Sequence, residues 1–131
     1  MASRRSGINR VWVLDGFGKI VTINAERSQH WSRRSKASAE WRDQFGTLAL
    51  AAGLPRCDVG PCHVHVHPLS TRRVPNQDVA ACVPAAKAAV DGLVDAGVWP
   101  DDTPAWVVAV TFWPQLTGQP DVGLRLTLKE I

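Results

Sequence analysis

Apolar residues fall along this chain in two distinct periods, and the changes between them mark the elements. Val11, Trp12, Val13 and Leu14 form a short apolar run, followed by turn chemistry at Asp15-Gly16 and Gly18. Ile20 to Ile23 then alternates, predicting a second short strand ending at Asn24. From Ser28, a suitable N-cap, the period lengthens. Trp31, Ser38, Trp41, Phe45, Leu48 and Ala52 share one helical stripe, and Gly53 and Pro55 end a helix of about 24 residues. Residues 62–67 read C-H-V-H-V-H, strict period two. Cys62, Val64 and Val66 should face inward, and His63, His65 and His67 outward. Pro84 suits the first turn of a second helix with Val83, Ala86, Val90, Leu93 and Val94 on its apolar side and Gly97 as its cap. Trp106 to Phe112 is a continuous apolar run, which predicts a buried strand, and Val122 to Leu128 alternates as a last one.

The predicted order is β-β-α-β-α-β-β, a single α+β (mixed α/β) domain with two helices packed on a mixed sheet. A chain of 131 residues is one domain, here with a loose polar tail over residues 1–9. There are no repeats and no low-complexity segments.

Charge changes this picture more than bulk composition does. The net charge is only +3, but residues 1–73 hold 12 of the 15 Lys and Arg and 5 of the 12 Asp and Glu. A basic first half and an acidic second half point toward nucleic acid. Arg33 and Arg34, off the apolar stripe of the first helix, and Arg72 and Arg73, in the loop after the histidine strand, are the candidate phosphate contacts. A solvated helix face would explain the first pair equally well. Three cysteines without a secretory pattern argue against a disulfide framework, and Cys62 and Cys82 read as small buried apolar residues. No apolar run approaches the roughly 20 residues a bilayer span needs, and MASRRSGINR has no apolar stretch of a signal peptide. A cytoplasmic location is expected, with no membrane association.

Residues 78–102, DVAACVPAAKAAVDGLVDAGVWPDD, carry the candidate chemistry. Asp78 precedes the second helix, Asp101-Asp102 follow it, and Lys87, Asp91 and Asp95 lie on it at helical spacing. Asp78, Asp101 and Asp102 are candidate ligands for Mg²⁺, which takes one or two carboxylates and completes its shell with water or phosphate oxygens. Lys87 would neutralise charge on a phosphodiester. Ordinary turn acids, and helix acids paired with Lys87, are the alternative. A zinc site from His63, His65 and His67, with or without Cys57, is a further reading. Three alternate positions span about 13 Å at strand rise, however, so one ion would reach two of them at most. Cys62 and His63 point to opposite strand faces, which disfavours a Cys-His nucleophile.

The string KAAVDGLVDAGVWPDD, residues 87–102, resembles the RusA family of Holliday junction resolvases: a lysine, an acid-bearing amphipathic helix, then A-G-x-x-x-D-D. Residues 23–42, INAERSQHWSRRSKASAEWR, are similar to the family's N-terminal segment. The resemblance implies a RusA-like fold and a small homodimeric endodeoxyribonuclease that cuts branched DNA, four-way junctions above all. It implies Mg²⁺, with Mn²⁺ as a substitute, and no small-molecule cofactor. It carries the last metal-binding acid to Asp102, its acidic neighbour to Asp101, the lysine to Lys87, a helix acid to Asp91, and the first acid of a D-x-D-N motif to Asp78. Catalytic roles would then fall to Asp78, Lys87 and Asp102. The motif is incomplete. Read from Asp78, its second acid is Ala80 and its Asn is Ala81; read the other way, Asn76 replaces the first acid. One carboxylate is missing either way. One metal per subunit is therefore expected, and a non-catalytic junction-binding protein of the same fold is the alternative.

Overall fold

A computed structural model describes residues 9–20, 31–54, 56 and 58–131, with the side chains of residues 31–35 left outside. The described elements are β1 (Val11–Phe17), α1 (Trp31–Ala51), β2 (Cys62–Leu69), α2 (Val83–Asp95), β3 (Val107–Phe112) and β4 (Gly123–Glu130). They form one mixed sheet in the order β1-β4-β2-β3. β4 runs antiparallel to both β1 and β2, and β2 runs parallel to the edge strand β3. The domain is thus α+β, two helices packed with a four-stranded mixed sheet, as the hydrophobic pattern predicts. The tail over residues 1–8, most of the predicted Ile20–Ile23 strand, the Ser28 cap and Cys57 lie outside the described residues.

Both helices end for the same local reason. After α1, Gly53 adopts φ +71°, Gly53 N–H donates to Leu50 and Leu54 N–H to Ala49. After α2, Gly97 adopts φ +85°, Gly97 N–H donates to Val94 and Val98 N–H to Leu93. These are paired Schellman closures, in which a left-handed residue satisfies the last carbonyls and the next side chain packs back. Leu54 and Val98 are both buried.

The core lies between the helices and one sheet face. Val64 and Val66 of β2 and Leu124, Leu126 and Leu128 of β4 meet Trp41, Phe45 and Ala49 of α1 and Ala85, Ala89, Val90 and Leu93 of α2. Trp41, Phe45 and Leu48 follow the predicted stripe, but Ala52 is exposed and Ala49 takes the buried position. Cys62 and Cys82 are fully buried, and burial raises the Cys82 pKa to about 11.

Two sequence expectations give way. Asp15-Gly16 is not a turn: β1 continues to Phe17, paired with β4. Gly16 is required there because α1 crosses it closely, and a Cβ would lie 2.7 Å from the Phe45 ring. Gln44 of α1 then closes the strand end, accepting from Phe17 N–H at 2.6 Å and donating to its carbonyl at 3.0 Å. β3, expected to be buried, is an edge strand with Val108 and Val110 partly open to solvent. A run of apolar residues fixes a strand's composition but not its rank in the sheet.

The chain's far ends are tied together through a buried carboxylate. Glu130, 2% exposed, accepts from Arg10 Nε at 2.9 Å, Arg10 Nη2 at 2.9 Å, Arg10 N–H at 3.1 Å and Gly60 N–H at 2.8 Å. Arg10 also lies over the Trp12 ring, 4.9 Å from its centroid.

Candidate functional site

Lys87 stands in the second turn of α2, one helical turn before Asp91, and its Nζ donates to Asp91 Oδ1 at 2.8 Å. The same ammonium pairs closely with Asp102 Oδ2. Asp102 is brought there by the segment after α2, whose anchor is Trp99. That ring is buried, and its Nε1–H donates to the Gly60 carbonyl at 3.1 Å. Lys87 is thus held between two carboxylates that arrive from a helix and from a loop. Its pKa is raised by Asp102 first and Asp91 second, and Lys87 in turn holds Asp102 below the ordinary carboxylate value.

The pair opens onto a cleft of about 250 Å³ between α2 and β3. Val83, Ala86, Val90, Val107, Val110 and Phe112 make its apolar walls, and Lys87 and Asp102 supply its charge. The edge position of β3 leaves this side open.

The structure regroups the candidate residues. Asp78 is exposed, and its Oδ1 accepts from Ala80 N–H at 2.9 Å. Asp101 Oδ1 accepts from Thr103 N–H at 2.9 Å and from its hydroxyl at 2.6 Å. Both are carboxylates folded back on the backbone two residues ahead, the local bond that favours Asp in turns. Among the described residues no three His, Cys, Asp or Glu converge on a point that would hold a metal ion. The ligand set Asp78, Asp101 and Asp102 is therefore not assembled, and the acid that joins Asp102 is Asp91. Asp95, the other helix acid, is spent on α1: it accepts from Arg42 Nη2 at 2.8 Å and from Nε at 2.5 Å.

The three histidines face outward as predicted, and among the described residues they join no group of three His, Cys, Asp or Glu that could hold a metal ion. His63 and His65 stack with centroids 4.1 Å apart, and Trp113 lies about 6 Å from His65 and His67, nearly parallel to the latter. The nitrogens of His63 and His65 turn to different partners, and the buried His67 Nδ1 has no hydrogen-bond partner among the described residues. His63 Nε2 meets Thr111 Oγ1 at 2.6 Å, and His65 Nδ1 accepts from Trp113 Nε1–H at 2.9 Å. Stacked rings place lone pairs side by side rather than toward one centre. Trp113 escapes the sequence reading because it lies just past the apolar run; its single signal was a Trp at a strand end.

Arg72 and Arg73 are exposed on the β2–α2 loop, and the side chains of Arg33 and Arg34 lie outside the described residues. No helix among the described residues is long and apolar enough to cross a membrane. Neither a scan against protein-family models nor a search of curated proteins finds a match to this chain.

Proposed function

We propose that this protein is a divalent-metal-dependent endonuclease of branched DNA that works as a homodimer, with Asp91 and Asp102 as its metal-binding carboxylates. The observation that carries the reading is the Lys87 ammonium seated between those two carboxylates on the rim of an open cleft. The point they share already holds one positive charge. Two carboxylates meeting at one point also match the donor set Mg²⁺ accepts, with water and phosphate oxygens completing its shell. When bound, such a metal polarises a phosphoryl oxygen and lowers the pKa of a bound water. Lys87, displaced from the carboxylates, neutralises the phosphate beside them. The resemblance of residues 87–102 to the RusA resolvases supports the substrate class, and the basic first half of the chain supports a polyanionic partner. A two-fold dimer would match the symmetry of a four-way junction.

The test is a synthetic four-way junction incubated with the full chain in Mg²⁺, in Mn²⁺ and in EDTA. Cleavage should require the metal, and Asp102→Asn should abolish it while junction binding persists. Paramagnetic broadening by Mn²⁺ of resonances near Asp91 and Asp102 gives a readout independent of turnover. A second reading, a junction-binding protein without catalysis, is favoured by Ala80 and Ala81 at the motif positions and by the engaged carboxylate of Asp78. Binding without nicking in either metal would establish it over the first.

A further inference from the structure

A second cleft, of about 160 Å³, opens at the carboxyl end of β2. Lys19, from the chain leaving β1, and Arg72, from the loop entering α2, both line it. Ser70, Asn76, Gln77 and Gln115 add hydroxyl and carboxamide groups, and no acid among the described residues lines it. Its walls are braced. Ser70 N–H donates to Leu116 at 2.9 Å, Leu116 N–H to Pro68 at 2.8 Å, Gln119 N–H to Ser70 at 2.9 Å and Gly118 N–H to Arg72 at 2.7 Å. Gln115 Oε1 accepts from Asn76 N–H at 2.7 Å, which leaves the Gln115 carboxamide with its donors.

Arg10, Arg42, Lys87 and Arg125 are each paired with an acid. Of the described cations without an ion pair among the described residues (Lys19, Lys36, Arg56, Arg72, Arg73 and Lys129), Lys19 and Arg72 are the two that line this cleft. Two cations and several donors facing one small cavity suit a tetrahedral oxyanion. Size points the same way, since pockets for drug-sized ligands start at roughly 300 Å³. A phosphate group with its waters fits a cleft of this size.

We propose that this cleft is a phosphate subsite in which Lys19 and Arg72 share one phosphate group. The DNA source of that phosphate rests on the function proposed above; the phosphate chemistry does not. Gln77 adjoins Asp78, and the loop runs directly into α2. A backbone phosphate seated here would therefore fix the strand relative to the helix that carries Lys87 and Asp91.

The experiment titrates the ¹⁵N-labelled full chain with inorganic phosphate, then with a four-way junction in EDTA. Wild type is compared with Lys19→Gln, Arg72→Gln and the double variant, all checked for unchanged melting temperature. Phosphate should move the side-chain amide resonances of Asn76, Gln77 and Gln115, and the double variant should lose that response. Junction affinity should fall about tenfold, and its dependence on log salt should become shallower by about 1 per bound chain, one phosphate's worth. Loss of the phosphate response with junction affinity unchanged would assign the cleft to a free phosphate ligand and overturn the DNA contact. No response to saturating phosphate would overturn the subsite itself, whatever the cleavage assay gives.

Discussion

Replacing Glu130 with Gln removes a charge from a buried carboxylate that accepts four hydrogen bonds and leaves its shape in place. Arg10 bonding first, and backbone N–H donation from Gly60 and Arg10 with it, hold the Glu130 carboxyl at about 2, against an ordinary value of 4.5; burial opposes them. A carboxylate depressed that far couples about 3 kcal/mol to folding at neutral pH. Arg10 keeps 28% of its side chain in solvent, which screens part of the attraction, so about 2 kcal/mol is the working figure. The sign follows from the depression. The contribution is complete above about pH 4.5, where the unfolded carboxyl is ionised, and is lost as pH falls toward 2. Urea unfolding of wild type and Glu130→Gln at a series of pH values measures this directly. The variant should be weaker by about 2 kcal/mol at pH 7, roughly 5–10 °C in melting temperature, and the two curves should converge in acid. A variant within about 0.5 kcal/mol of wild type at pH 7, or a gap that does not change with pH, would refute the assignment.

Further expectations follow from single contacts. Gly92→Ala forces a Cβ to 2.1 Å from the Arg42 carbonyl where α1 and α2 cross, and should cost about 2–3 kcal/mol or more in thermal unfolding, with Gly46→Ala milder at 3.2 Å from the Gly92 carbonyl. Burial first, then the neighbouring His63 and Lys129 for His65 and Arg125 and His65 for His67, hold these two imidazoles below their ordinary 6.5. The unfolded chain therefore takes up protons first. Stability should fall as pH drops below about 6.5, and a His65→Asn/His67→Asn double variant should lose that slope in melting temperature. Asp102→Asn should abolish metal-dependent junction cleavage while binding in EDTA stays within about twofold, as a gel-shift titration would read; cleavage at the wild-type rate would remove Asp102 from the site.

Local pattern carried the sequence reading a long way. The C-H-V-H-V-H alternation put three histidines on one sheet face, and Gly53 and Gly97 ended both helices through left-handed turns that few other residues adopt. Lys87 and Asp91, one helical turn apart, were bound to be neighbours once α2 formed. The candidate metal set was less legible. Asp78, Asp101 and Asp102 were equivalent as a string of acids, yet short-range bonds to Ala80 and Thr103 occupy the first two. Such turn bonds are always available to Asp, so spacing alone could not separate an acid held by its own turn from one aimed at a partner.

What the sequence determined by itself is therefore what depends on neighbours within one turn or one strand: the period of each element, its inward face, its caps and the Lys87–Asp91 pair. What only the tertiary structure decided depends on residues far apart in the chain. Trp99 on Gly60 sets the segment that delivers Asp102 to Lys87, Gly92 against Gly46 sets how closely the helices approach, and Arg10 closes on Glu130 across 120 positions. Strand rank belongs to the same group: hydrophobic pattern makes β3 a strand, but pairing order leaves it at the edge, with a cleft beside Lys87 and Asp102. Periodicity encodes which face of an element seeks cover, and only packing decides which other element provides it.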